Sequence, residues 1–192
     1  MILSKSDETS VQKCLSFLKE GKIVIIPTDT VYGFSGIVLP GKALDTDAKI
    51  KAIKGRSETK PFIQLIARPE DLKKYTDDTI PETLLSYWPG PLTIIVNNKL
   101  TKTTTAFRCP GDKWLRDILK ELDCPIYSTS VNRSGFPVLD SENEIIKEFE
   151  KDVDLIVSDG DKKNALPSTI VSISDGKIKI LRQGAVKLQA TI

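Results

Sequence analysis

Two polar loops, each entered from an apolar stretch, hold the side chains best suited to chemistry in this chain of 192 residues. Lys22-Ile23-Val24-Ile25-Ile26 runs into Pro27-Thr28-Asp29-Thr30-Val31-Tyr32-Gly33. The stretch 125–128 runs into Thr129-Ser130-Val131-Asn132-Arg133-Ser134-Gly135. Ligands of open α/β sheets bind beyond strand ends. Small hydroxyls with an Asn amide there suit a small polar substrate or a ribose phosphate. The same loops also read as turns in which Ser, Thr and Asn satisfy nearby backbone. Lys54-Gly55-Arg56 ends a helical stretch. Its two cations either complement the helix macrodipole or neutralise a phosphate, Arg as a fork and Lys as a point charge. Arg108 and Arg182 each end a strand-like run beside such loops, where a guanidinium can meet a carboxylate or phosphate.

What is missing narrows the chemistry further. The chain has no histidine, which excludes Ser–His–Asp and Cys–His nucleophiles and His-ligated zinc. Carboxylates, cations, hydroxyls, backbone amides and the substrates themselves remain. No GxxxxGK[ST] occurs, and Gly33, Gly36 and Gly41 do not form GxGxxG. Ser158-Asp159-Gly160-Asp161 lacks the ligand spacing of a calcium loop and reads as a solvated turn. Cys14, Cys109 and Cys124 are odd in number with no CxxC spacing, so free thiols in a reducing compartment are expected, and no protein metal site. With 28 Lys+Arg against 26 Asp+Glu the net charge is +2, which marks neither a nucleic-acid nor a membrane binder overall. The first residues, MILSKSDETSVQK, lack a signal-peptide apolar segment, and no run nears the ~20 apolar residues of a membrane span. A cytoplasmic protein is expected.

The elements that must position these groups alternate in α/β fashion, as one domain over residues 1–192. Val11, Cys14, Leu15 and Leu18 predict a helix over 7–20 with Gly21 at its stop. Strands are expected at 22–26, 61–67, 92–96, 104–108, 125–128, 154–157, 169–173 and 177–181, and helical segments at 45–54, 69–75, 81–88 (with Pro at its first position) and 113–122. Asp112 suits an N-cap, and Ser141 with Glu144 suits a capping box before another helix. Asp175-Gly176 predicts a tight hairpin, hence a mixed sheet. Trp88-Pro89-Gly90-Pro91 reads as a fold element.

In order along the chain, IIPTDTVYGFSG, IKGRSETKPF, YWPGPLTIIV, AFRCPGD, PIYSTSVNRSG, PSTIVSI and ILRQGAV are similar to the YrdC/TsaC family, the L-threonylcarbamoyladenylate synthases. The resemblance spans about Gly21 to Gly184 and is of the short, single-domain form. It implies an α/β fold, a twisted open mixed sheet with flanking helices and a concave basic groove. It also implies synthesis of threonylcarbamoyl-AMP and pyrophosphate from L-threonine, bicarbonate or CO₂, and ATP with Mg²⁺. Partner threonylcarbamoyl-transferase proteins would then pass the group to tRNA. By matching position, Thr28 would contact threonine, with Thr30 as a second contact; Arg108 would pair with its carboxylate, and Ser128 and Ser168 would line its pocket. Lys54 and Arg56 would hold ATP phosphates, Ser130 and Asn132 the nucleotide, and Arg182 the ATP side. Some relatives carry His where Leu65 stands, and Ser130-Val131-Asn132 replaces the more usual Ser-Ala-Asn.

That reaction suits a chain without histidine. A free amine adds to CO₂ without a strong base, and transfer at phosphorus depends on positioning and electrostatic stabilisation. Lys54, Arg56 and Arg182 would supply the positive charge. Two rival readings use the same groove. One is a YciO-like module binding double-stranded RNA or tRNA through phosphate contacts without adenylate synthesis. The other is the carbamoyl-adenylate chemistry of larger hydrogenase-maturation relatives, whose zinc-finger and acylphosphatase-like segments are not found here.

Overall fold

A computed structural model describes residues 1–55 and 61–188. Ten strands form one sheet: β1 Ile2–Ser4, β2 Val24–Ile26, β3 Gly33–Ile37, β4 Ile63–Leu65, β5 Leu92–Asn98, β6 Thr103–Arg108, β7 Ile126–Ser130, β8 Leu155–Ser158, β9 Thr169–Ser172 and β10 Lys179–Arg182. The helices are α1 Ser10–Lys19, α2 Thr46–Lys54, α3 Glu82–Leu85, α4 Lys113–Leu122 and α5 Glu142–Phe149, with 3₁₀ turns at Pro40–Lys42 and Pro69–Lys74. The spatial order is β1-β8-β2-β3-β7-β4-β6-β5-β9-β10. Four pairs are parallel (β1/β8, β2/β8, β4/β6, β5/β9) and five antiparallel, so the sheet is mixed, as the hairpin signal implied.

Side-chain alternation divides the core between the two faces of this sheet. On one face Val24, Ile26, Leu65, Ile126, Leu155 and Val157 pack under Cys14, Leu15 and Leu18 of α1 and Leu115, Ile118 and Leu119 of α4. On the other, Ile25 and Phe34 meet Ile50 of α2 and Ile145 and Phe149 of α5. Leu92, Ile94, Val96, Phe107 and Val171 pack there with Leu72, Leu84 and Trp88. The α1/α4 face continues along the registers Leu65↔Arg108, Thr93↔Ile170 and Ile170↔Arg182. That continuation exchanges apolar residues for polar and cationic ones.

Helix ends follow local chemistry. Gly21 adopts φ +70° just past α1, and Asp112 accepts from the Leu115 amide at 3.0 Å to cap α4. Four expectations need correction. β1 and β3 carry no strand signal of their own. β3 reads Gly-Phe-Ser-Gly-Ile, a composition poor in strand formers. Its glycines admit neighbours: a Cβ on Gly33 would stand 2.8 Å from Ser128 Oγ, and one on Gly36 2.8 Å from Thr46 Cβ. Secondly, the Ser141–Glu144 capping box does not form: Ser141 makes no side-chain cap, and the Glu142 amide donates to Asp161 Oδ1 from a neighbouring loop. Thirdly, β9 and β10 are antiparallel, but their connection runs over residues 173–178 rather than a two-residue turn. Lastly, Pro81 caps α3 rather than beginning it.

Candidate active site

On the open part of the α1/α4 face, a cleft of about 280 Å³ gathers residues from six stretches of chain. Thr28, Thr30 and Tyr32 come from the β2–β3 loop, Pro61 to Ile63 from the start of β4, and Arg108 from the end of β6. Ser128 and Ser130 lie on β7, Pro167 and Ser168 before β9, and Ile170 and Arg182 on β9 and β10. Ser128, Ser130, Ile63, Arg108, Ile170 and Arg182 share the face by alternation; the loops close its ends. A larger hollow of about 500 Å³ lies between Pro69 and Leu85, but it collects no arginine and none of the motif hydroxyls.

The β2–β3 loop is organised by its own hydroxyls. Thr28 Oγ1 donates to the Val31 carbonyl at 2.8 Å and accepts from the Thr30 amide at 3.0 Å. Thr30 Oγ1 accepts from Arg108 Nη1 at 2.9 Å, and Arg108 Nε donates to the Gly90 carbonyl at 3.1 Å. Arg108 Nη2 donates to Asp29 Oδ1. Three of the five guanidinium N–H groups are thus engaged, leaving two for a ligand. Burial pushes the Arg108 pKa down, and the Asp29 charge opposes that shift.

Arg182 is held differently. Its Nη2 and Nε donate to the Ser168 carbonyl at 2.7 and 3.2 Å, while Ser168 Oγ pairs with Thr93 Oγ1 at 2.8 Å. Among the described residues no carboxylate pairs with Arg182. Burial lowers its pKa, and the neighbouring Arg108 charge lowers it further. Among the described residues, two guanidiniums are balanced by one carboxylate, which leaves the cleft an excess of positive charge on a solvent-accessible Arg182 that attracts anions. Ser128 Oγ has no protein partner among the described residues, so its hydroxyl is open to a ligand.

Lys54 stands behind this wall. It is 4% exposed, and its Nζ donates to the Ser130 and Asn132 carbonyls at 2.5 and 3.0 Å and to Asn132 Oδ1 at 2.9 Å. The Asn132 amide in turn donates to the Arg133 and Phe136 carbonyls, and Ser130 Oγ donates to Asn132 Oδ1 at 2.8 Å. The cleft therefore joins Thr28, Thr30, Arg108, Ser128, Ser130, Ser168 and Arg182, with Lys54 and Asn132 in the layer beneath Ser130. Arg56 lies outside the described residues.

The motif residues considered singly left two contributors unnoticed. Asp29 anchors Arg108, and only its place between two threonines in PTDT hinted at this. Tyr32 lines the cleft; its hydroxyl donates to the Gly160 carbonyl at 2.8 Å and accepts from the Asp159 amide at 2.7 Å. Burial, aided by nearby carboxylates, pushes the Tyr32 pKa up to about 12, so the hydroxyl stays protonated as this bridge requires. The turn at 158–161 is solvated as expected, with residues 159–161 exposed, and it also braces Tyr32. Asp159 also pairs with Lys5 and Lys162, whose charges outweigh burial and hold its carboxyl below the usual range.

Comparison with known proteins places this geometry in context. A family model for Sua5, YciO and YrdC proteins, described as "Telomere recombination", matches residues 16–184. A Methanocaldococcus jannaschii protein, provisionally named threonylcarbamoyl-AMP synthase, is 35% identical over 95% of this chain and 91% of its own length. The Neisseria gonorrhoeae threonylcarbamoyl-AMP synthase is 29% identical over 92% of this chain and 98% of its own. The Pyrococcus abyssi threonylcarbamoyl-AMP synthase is 29% identical over 98% of this chain, which spans only 58% of that protein. Among solved structures, P. abyssi Sua5 complexed with L-threonine superposes with a TM-score of 0.85 at 27% identity, over 96% of this chain and 57% of that one. Escherichia coli YciO shares the fold, with a TM-score of 0.81 at 20% identity over 97% of this chain and 95% of its own.

Proposed function

The chain belongs to the Sua5/YciO/YrdC family, and we propose that it is an L-threonylcarbamoyladenylate synthase. The observation that carries this reading is the cleft itself. It draws hydroxyls and two arginines from distant motifs onto one sheet face, around a space sized for an amino acid and part of a nucleotide. The relative from P. abyssi crystallised with L-threonine supports the amino-acid half.

The chemistry follows from the side chains present. The threonine amine adds to CO₂, forming a C–N bond and releasing a proton to solvent. One oxygen of the resulting carbamate attacks the α-phosphorus of ATP; the bond to the bridging oxygen breaks and pyrophosphate leaves. The substrate carboxylate takes the two spare N–H groups of Arg108, which Asp29 and Thr30 hold in place. Thr28, Ser128 and Ser168 provide hydroxyl contacts around it. Arg182 faces the phosphates, where developing charge is stabilised by a donor already in position. Lys54, Arg56, Ser130 and Asn132 serve the nucleotide side, Lys54 partly by fixing the loop that carries the other two. Bound to the triphosphate, Mg²⁺ would supply charge neutralisation of the phosphates. Among the described residues no group of three His, Cys, Asp or Glu stands ready to hold an ion; the cleft's own charged contribution is Arg108 and Arg182.

In this reading the adenylate passes to a threonylcarbamoyl-transferase acting on tRNA, in a cytoplasmic setting consistent with three free thiols. No helix among the described residues is long and apolar enough to cross a membrane. The test is threonine-dependent release of pyrophosphate from ATP in the presence of bicarbonate. Tight, steeply salt-dependent binding of double-stranded RNA without turnover would favour the module reading instead.

A further inference from the structure

Arg133 follows Asn132 in the β7 loop and has no part in the site as described so far. Its guanidinium donates from Nη1 to the Ile53 carbonyl at 2.5 Å, from Nε to Glu148 Oε1 at 2.8 Å and from Nη2 to Asp152 Oδ2 at 2.6 Å. It also lies 4.6 Å from the centre of the Phe149 ring. Ile53 and Lys54 are the last residues of α2, whose final carbonyls have no partner within the helix. Arg133 takes the Ile53 carbonyl, and the Ser134 amide takes that of Lys54 at 2.8 Å. In the opposite direction the Lys54 ammonium takes the Ser130 and Asn132 carbonyls. The end of α2 and the β7 loop therefore cap each other; both also pack on α5 through Ile50, Val131, Ile145 and Phe149, and among the described residues Arg133 adds a polar link from them to α5.

We propose that Arg133 is a positioning residue for the nucleotide half of the site, a clamp that sets where Lys54, Ser130 and Asn132 stand relative to the cleft. The inference rests on the synthase reading for its ligand, ATP. Isolated exposed ion pairs contribute little. This guanidinium differs because one planar fork serves three elements at once, a geometry that lysine cannot copy. Arg133→Lys keeps a charge beside Glu148 and Asp152 but cannot also reach the Ile53 carbonyl in the same plane.

The test measures ATP and L-threonine affinity by calorimetry, KM and kcat for pyrophosphate release, and thermal midpoints, for wild type, Arg133→Ala and Arg133→Lys. Misplacing a loop by a fraction of an ångström is enough for a loss of about tenfold. Arg133→Ala is expected to weaken ATP binding and raise the ATP KM about tenfold, with the threonine KM within about twofold. Arg133→Lys should recover most of the thermal midpoint yet leave ATP affinity impaired. Unchanged ATP affinity in folded Arg133→Ala, or ATP and threonine constants rising together, would overturn the clamp. If Arg133→Ala does not fold, Glu148→Ala and Asp152→Ala remove the two acceptors, on α5 and in the turn after it, and carry the same ATP-selective prediction. Hydrogen exchange at the Ser134 amide reads the clamp without ATP. It should quicken in Arg133→Ala even if wild type shows no threonine-dependent turnover, an outcome that contradicts the synthase reading alone; unchanged exchange contradicts the clamp.

Discussion

Arg108 and Arg182 occupy one cleft, yet their surroundings assign them different work. Arg108 is tied by Asp29, Thr30 and Gly90, so its charge is largely balanced before any ligand arrives. Arg182 leans on the Ser168 carbonyl and meets no carboxylate among the described residues. Arg182→Ala should therefore lower pyrophosphate release at least ~10-fold, about 1.4 kcal/mol of transition-state stabilisation. Arg108→Ala should chiefly raise the KM for threonine. Steady-state kinetics with each substrate varied separates the two; equal losses with either substrate would remove the distinction. Both arginines were legible as strand-end cations, but their meeting depends on register across four strands, which no local pattern reveals. The cysteines give a separate check. Burial pushes the Cys14 and Cys109 thiols up to about 12, while Cys124 is half-buried and raised less. Since the thiolate is the reactive form, native protein at pH 8 should release colour from Ellman's reagent only at Cys124, and the other two should react after unfolding.

At the scale of elements, α2 connects the sheet to the nucleotide loop. Its first residue, Thr46, donates to the Ile37 carbonyl at 2.6 Å, and its last, Lys54, holds the loop after β7. Gly36 is the contact that lets the helix lie this close to β3. Gly36→Ala should cost about 1–3 kcal/mol, the usual range for forcing atoms into a packed interface. Chemical denaturation would show it as a lower midpoint with an unchanged slope; a change under about 0.5 kcal/mol would mean that Thr46 yields freely. The residues that permit this packing are also those that hid β3 from view, because glycine and serine carry weak strand propensity. The long β-branched runs, by contrast, announced β2 and β5. The Ser141–Glu144 pattern misled for a related reason. The Ser141 side chain makes no cap, and the helix N-terminus is met instead by a neighbouring carboxylate, Asp161, which accepts from the Glu142 amide.

For the whole molecule, the absence of histidine has a measurable consequence. No side chain has an ordinary pKa between about 5 and 8, so the thermal midpoint should be nearly flat across that range. Below it the sign is set by carboxyls such as Asp159 and Asp71. Burial opposes their charge, but paired lysines and Arg68 outweigh it and leave both below the usual value. Groups with depressed folded pKa contribute stability above the unfolded value near 3.9, and that contribution is lost as pH falls through the folded value. Stability should therefore drop below about pH 4, as differential scanning calorimetry can follow; a marked fall between pH 8 and 6 would contradict this. The mixed α/β character, most elements and the cleft residues Thr28, Thr30, Arg108, Ser130 and Arg182 were readable along the chain, since apolar periodicity and strand-end loops are local signals, whereas Ser128 and Ser168 came only with the family resemblance. The sheet order, and with it the shared face that brings Thr28, Arg108 and Arg182 together, was not, because it is decided by long-range pairing. The central claim is tested most directly by incubating the pure protein with ATP, Mg²⁺, bicarbonate and L-threonine and weighing the products. Threonylcarbamoyl-AMP should appear with an equal amount of pyrophosphate, and only when threonine is present. Threonine-independent pyrophosphate, or no adenylate from folded protein, would contradict it.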